Sequence, residues 1–143
     1  MVEFEVFLKR MNNIGQFIDK RAGDILMKQE NKILSYQKAQ LKEGTGNTGQ
    51  IMQRGYSSGY ANKRRKAGLQ TSFVDLKFSG NYQDSMKGKK ADGGMNIQSG
   101  VSYEKYLRGN FPTHIGLDKD NSEAVAELIA PEVAKEIKNY LIK

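Results

Sequence analysis

Three stretches of this sequence hold residue types that could do chemistry. The first is Gly44-Thr45-Gly46-Asn47-Thr48-Gly49, which matches the Gly-x-Gly-x-x-Gly dinucleotide fingerprint. That chemistry needs a strand before the loop and a helix N-terminus after it, so that backbone amides meet a pyrophosphate. Here a lysine-rich helical pattern precedes the loop, and Gln50 stands where a phosphate-binding loop would place lysine. The segment therefore reads as a turn. The second stretch is Lys63-Arg64-Arg65-Lys66, with Tyr56 and Tyr60 upstream. Clustered cations neutralise phosphates and tyrosines stack on bases, so nucleic-acid contact is one reading. Docking on an acidic protein surface, or plain solvation, is the other. Arg54, Tyr56, Tyr60, Lys63, Arg64, Arg65 and Lys66 are the candidate contact residues. The third stretch surrounds His114, which follows Pro112 and reads as a hydrogen-bonded structural residue. Asp118, Asp120 and Glu123 lack the spacing of a calcium loop, and helix capping accounts for them.

The composition removes much other chemistry. There is no cysteine and a single histidine, so disulfides, thiolate nucleophiles, cysteine-bound metals and histidine-driven triads are excluded or rest on one residue. The acids are scattered. No catalytic residue, metal site or cofactor is expected, and the chain reads as non-enzymatic. The net charge is +7. Between Arg54 and Lys90 nine basic residues face only Asp75 and Asp84, so that segment alone carries +7 and the remainder balances. No run of eighteen apolar residues exists, so no membrane span is expected. Met1 to Arg10 lacks the pattern of a secretory signal, which points to a cytoplasmic origin.

At 143 residues the chain has the length of a single domain, residues 1–143. Phe4, Phe7, Leu8, Met11, Ile14, Ile18, Ile25, Leu26, Ile33 and Leu34 recur at three- and four-residue steps. They predict one long N-terminal helix, with Gly15 and Gly23 as weak points. A polar, glycine-rich arm or flexible loop follows at about 44–70, with a short helix near Tyr60 to Lys66. Val74, Leu76 and Phe78 alternate with Asp75 and Lys77, as in a half-buried strand. Asn81 to Met86 reads as a helical turn. Met86 to Ala91 and Met95 to Ser99 flank Asp92-Gly93-Gly94, a hairpin signal because both turn residues tolerate positive φ. A short helix is expected at Tyr103 to Arg108 and an extended passage around Pro112. A C-terminal helix follows, opened by an Asp120–Glu123 capping box and kinked or split at Pro131. The methionines at 11, 27, 52, 86 and 95 read as core filling. The fold class is α+β: a long N-terminal helix, a small antiparallel sheet with a hairpin, and a C-terminal helix packed on that sheet.

The order of these features resembles the tailed-phage virion morphogenesis proteins, also called tail completion or head–tail joining (neck) proteins. The matching residues are the Gly44 to Gly49 loop, Asp75-Leu76-Lys77-Phe78-Ser79-Gly80-Asn81-Tyr82-Gln83-Asp84-Ser85, and the hairpin at Asp92-Gly93. Tyr103-Glu104-Lys105-Tyr106-Leu107, Pro112-Thr113-His114-Ile115-Gly116-Leu117 and the closing helix complete the series. Each motif is short, and order and spacing over nearly the whole chain carry the likeness. The family's tryptophan after the glycine loop is replaced by Ile51 or Met52, and the basic run at 63–66 is not a family feature. The resemblance implies a structural subunit of a homo-oligomeric ring at the neck or tail end of a bacteriophage. It would be assembled in the host cytoplasm and found in the virion. Portal, connector or tail proteins would be its neighbours, with packaged DNA a further contact through the basic segment. The alternative is a nucleic-acid-binding module that uses the basic loop 54–66 by itself, and a phage nuclease is a third reading.

Overall fold

The N-terminal pattern folds as three consecutive helices and not one: α1 (Phe4–Asn12), α2 (Ile14–Met27) and α3 (Glu30–Lys42). The computed structural model describes residues 2–52 and 55–143. The breaks fall at Asn13 (φ −103°, ψ 8°) and Gln29 (φ −108°, ψ 18°), not at the glycines. Asparagine competes for backbone hydrogen bonds outside the helix, which suits it to such a junction. Gly23 has a different use. A Cβ there would lie 2.7 Å from Lys90 Cγ and 3.1 Å from the Gly94 carbonyl oxygen, so its bare backbone lets α2 approach a turn of another element closely.

That turn belongs to the hairpin, β1 (Met86–Ala91) and β2 (Gly94–Ser99), paired antiparallel from Met86↔Ser99 to Ala91↔Gly94. The hairpin stands where the Asp-Gly signal placed it, with Gly93 at φ +72°. Helices α4 (Ser58–Lys66), α5 (Asn81–Asp84), α6 (Glu104–Asn110) and α7 (Lys119–Ile142) complete the described elements. The class is α+β, seven helices with one two-stranded sheet among the described residues. None of these helices is long and apolar enough to cross a membrane.

The segment around Phe73 to Phe78 is not a strand. Val74 is buried, but Asp75 and Leu76 are both half-buried and Lys77 and Phe78 both exposed, so burial does not alternate; no neighbouring strand supplies a ladder, and Leu76 takes a left-handed φ of 57°. Helix α7 is likewise not split. It runs unbroken through Pro131, whose ring faces solvent. Contacts with α2 hold the half of α7 that follows the proline. Phe17 stacks on Tyr140 at 4.1 Å, Arg21 pairs with Glu136 at 3.1 Å, and Lys28 pairs with Glu132 at 3.1 Å. Positions rise along α2 as they fall along α7, so the two helices run antiparallel. The N-cap of α7 is Asp118, whose carboxylate accepts from the Asn121 amide at 2.8 Å, and not Asp120. Asp118 is extended (ψ 177°) while Asp120 already lies in the helix. The hairpin is covered mainly by α2 and α3, and α7 packs mainly on α2 and α1. Ile33, Leu34, Leu41, Met52, Val74, Tyr82, Met86, Ile97, Leu107 and Val125 form the core. Met11 stays exposed and is not part of it.

Two buried glutamines on α3 tie this core to the irregular passage before α7. Gln37 Nε2 donates to the His114 carbonyl at 3.0 Å, and its Oε1 accepts from the Gly116 amide at 2.8 Å. One turn later Gln40 Nε2 donates to the Gly116 carbonyl at 3.0 Å. Its Oε1 accepts from the Asp118 amide at 2.9 Å and from Asn121 Nδ2 at 2.7 Å. Spaced i, i+3, the two amides lie on one face of α3 and bond the passage as a neighbouring strand would. Replacing Gln37 by alanine orphans a donor and an acceptor in the interior. At about 1–3 kcal/mol for each of the two unsatisfied groups, the Gln37→Ala variant should lose about 2–6 kcal/mol in urea unfolding.

Candidate functional site

Helix α4 begins at the Ser57 cap, whose Oγ accepts from the Tyr60 amide at 3.3 Å, and its last turn carries the basic run. Its four cations do not share a face. Arg64 is fully buried, whereas Lys63, Arg65 and Lys66 are exposed. The Arg64 guanidinium donates from Nε to the Gln70 carbonyl (3.0 Å), from Nη1 to the Lys77 carbonyl (2.6 Å) and from Nη2 to Asp75 Oδ1 (3.1 Å). Its plane lies 4.4 Å from the Tyr56 ring centroid, a cation–π contact. Arg64 is therefore removed from the set of surface contact residues; it holds the protein together.

The partners of Arg64 explain why residues 70–78 need no ladder. Tyr56 OH donates to Asp75 Oδ1 (2.9 Å) and accepts from the Asp75 and Leu76 amides. Gln70 Nε2 donates to the Phe73 carbonyl and to Asp75 Oδ2. Asp75 Oδ1 also accepts from the Lys77 amide, and Gln83 Nε2 donates to the Asp75 carbonyl. Burial, with Asp75 adding to it, pushes the Tyr56 hydroxyl up to about 12, so it stays protonated and keeps its donor role. The arm expected at 44–70 thus includes a helix pinned by its own arginine. The one sequence signal for this pairing was that Asp75 is the nearest acid after a run of four bases.

Around this pin the aromatic residues gather into a groove of about 450 Å³. It is lined by Tyr56 and Tyr60, by Leu76 and Phe78, and by Tyr103, Tyr106 and Phe111. Tyr60, Phe78, Tyr103 and Tyr106 are all exposed. None of the described lining residues is charged. Lys63 supplies a cation at the edge, its Nζ 5.3 Å from the Phe78 ring centroid. Arg65 turns toward Asn62 at 3.3 Å, and Arg54 lies outside the described residues. Of the sequence candidates, Tyr56, Tyr60 and Lys63 meet at this groove, while Arg65 and Lys66 extend along the exposed side of α4. Phe78 and the Tyr103, Tyr106 and Phe111 group come from two separate stretches of the chain, and nothing in either stretch marked them as lining one groove.

The glycine-rich loop is a closed turn. An isolated bridge joins Thr45 to Ile51, and the Gly46 amide donates to the Gln50 carbonyl at 3.0 Å. Asn47 docks it on the passage before α7, its amide on the Thr113 carbonyl (2.7 Å) and Nδ2 on the Ile115 carbonyl (3.0 Å). A Cβ on Gly46 would lie 2.6 Å from the Thr113 carbonyl oxygen. A helix precedes the loop and none opens at Gln50, so the nucleotide geometry is not met. Met52, just after the loop, is buried in the core.

His114 is buried. Its Nδ1 donates to the Phe111 carbonyl at 2.6 Å, which leaves Nε2 bare to accept from the Tyr82 hydroxyl. Burial pushes its pKa below 6.5, and burial raises that of Tyr82 well above 10. Both groups are neutral and paired, which fits the structural reading of this histidine. Among the described residues no group of three acidic or histidine side chains stands close enough to hold a metal ion. Compared with known proteins, the chain matches no family model, no curated protein and no solved structure.

Arg64→Ala should cost about 3–5 kcal/mol in urea unfolding, because it leaves Asp75 as a half-buried carboxylate without its cation. Lys63→Ala, Arg65→Ala and Lys66→Ala should each stay within about 0.5 kcal/mol of the parent. For His114 the sign follows from linkage. The unfolded chain takes up a proton near 6.5, while the native chain resists it. Stability is thus fully present above that pH and declines as pH falls below it. Urea midpoints should fall from pH 6.5 to about 5, above the main carboxylate range, and that slope should vanish in His114→Gln.

Proposed function

We propose that this chain is a non-enzymatic structural subunit of a tailed-bacteriophage virion. It forms part of the head–tail connector, neck or tail-completion ring through protein–protein assembly. One observation carries the reading: the residues that make up the family-like motifs are used in a buried framework. Asp75 holds Arg64, Tyr56 and Gln70. Tyr82 bonds His114, Leu107 is in the core, and Gly116 is bonded by both Gln37 and Gln40. Residues engaged in this way fix a shape. The surface they present is aromatic, aliphatic and basic, as suits assembly with other proteins.

In this reading the C-terminal helix and the hairpin form the rigid body of a ring subunit, and the neighbours are portal, connector or tail proteins of the particle. The exposed cations of α4 grip an acidic face of a neighbour or line a channel that DNA traverses. Protein should be present in purified virions at about six or twelve copies per particle, as a closed ring requires; quantitative mass spectrometry of particles measures this. Absence from mature particles would overturn the reading.

A second reading, a nucleic-acid-binding module, draws on Lys63, Arg65 and Lys66 standing exposed on the same helix as Tyr60. It requires DNA affinity that falls steeply with salt and is lost in a Lys63→Ala/Arg65→Ala/Lys66→Ala triple variant. Arg64 is left in place there, because removing it would test folding instead.

A further inference from the structure

Helix α1 is amphipathic, yet it buries nothing. Phe4, Leu8 and Met11 recur at i, i+4 and i+7 on one stripe and are 72%, 46% and 44% exposed. The helix is held from behind by α7 and α2, with Arg10 donating to the Leu141 carbonyl at 3.3 Å. Its apolar stripe is therefore fixed in position and has no partner in its own chain. The aromatic groove beside α4 has the converse character: it is concave, open and uncharged among its described lining residues. It is built from α4, residues 76–78 and α6, none of which is a main packing partner of α1.

We propose that these two surfaces belong together across molecules, with α1 of one copy seated in the aromatic groove of the next. The charges agree. Glu3 and Glu5 flank Phe4 at the start of the stripe. At the groove, Lys63 stands over Phe78, and Lys105 on α6 is exposed; Lys9 and Arg10 sit at the other end of α1 from Glu3 and Glu5. A helix whose anchors fall at i, i+4 and i+7 meeting an aromatic groove is a common recognition geometry. The two patches are unlike and lie on different elements, so the contact is head-to-tail and propagates around a closed ring. The inference deepens the ring reading and rests on it for its setting.

The chain has no cysteine, so paired single-cysteine variants test the contact directly. Leu8→Cys and Tyr106→Cys proteins, both exposed sites, are mixed and oxidised, with Leu8→Cys and Glu127→Cys as the background pair. The expected result is a disulfide-linked 8–106 dimer well above the 8–127 background, abolished when Phe4→Glu is added to the Leu8→Cys chain. An 8–106 yield no higher than background overturns the proposal. So does oligothymidylate quenching of tyrosine fluorescence that is lost in Tyr106→Ala while no 8–106 link forms, which assigns the groove to nucleic acid. A failed link with the protein present in particles removes this interface alone. A formed link with no copies in particles removes the virion reading alone.

Discussion

The constraint on which the structure depends is the pairing of buried backbone groups in segments that have no strand beside them. The one two-stranded hairpin among the described residues supplies no ladder to residues 70–78 or 111–118. Buried backbone amides and carbonyls nevertheless need partners. Side chains supply them. Gln37 and Gln40 bond one passage, and Arg64, Gln70, Tyr56 and Gln83 bond the other. Among the described residues, Arg21 Nε is the one buried side-chain nitrogen or oxygen left without a hydrogen bond. The interior is therefore a polar frame filled in by an apolar core, and the frame is what fixes the irregular passages.

This arrangement divides the basic segment into parts with different roles. A buried guanidinium is tolerated only when its donors are met and a carboxylate is near; Arg64 has three acceptors, Asp75 and an aromatic face. Its neighbours Lys63, Arg65 and Lys66 keep their charges in water. The excess charge of the chain is thus partly internal structure and partly surface. The same pin brings Tyr56 and Tyr60 against residues 76–78, which shapes the aromatic groove. Groove, frame and basic helix are consequences of one arginine placement.

Much of the fold was legible because it is local. The Asp92-Gly93 turn fixed the hairpin register within two residues of sequence, and the stripes of α3 and α7 announced helices. The capping carboxylate was off by two positions, since Asp118 and Asp120 both offer a short acceptor and only the backbone angle distinguishes them. The single long N-terminal helix failed at Asn13 and Gln29, where the apolar spacing continues but the backbone does not. The strand at 73–78 failed for the opposite reason. Its residue types alternate as in a strand, and what it lacks is a neighbour, which no pattern within the segment can reveal.

The sequence by itself determined the α+β composition of elements, the hairpin, the concentration of positive charge between residues 54 and 90, and the lack of thiol chemistry. These follow from residue type and short-range spacing. Only the tertiary structure decided that Arg64 is interior while its neighbours are not, and that His114 is a neutral partner of Tyr82. It also assembled Phe78, Tyr103, Tyr106 and Phe111 into one groove and left the stripe of α1 uncovered. Burial is a relation between segments distant in the chain. Whether a cation or an aromatic ring meets water is set by what packs across from it, and that information is absent from its immediate neighbours.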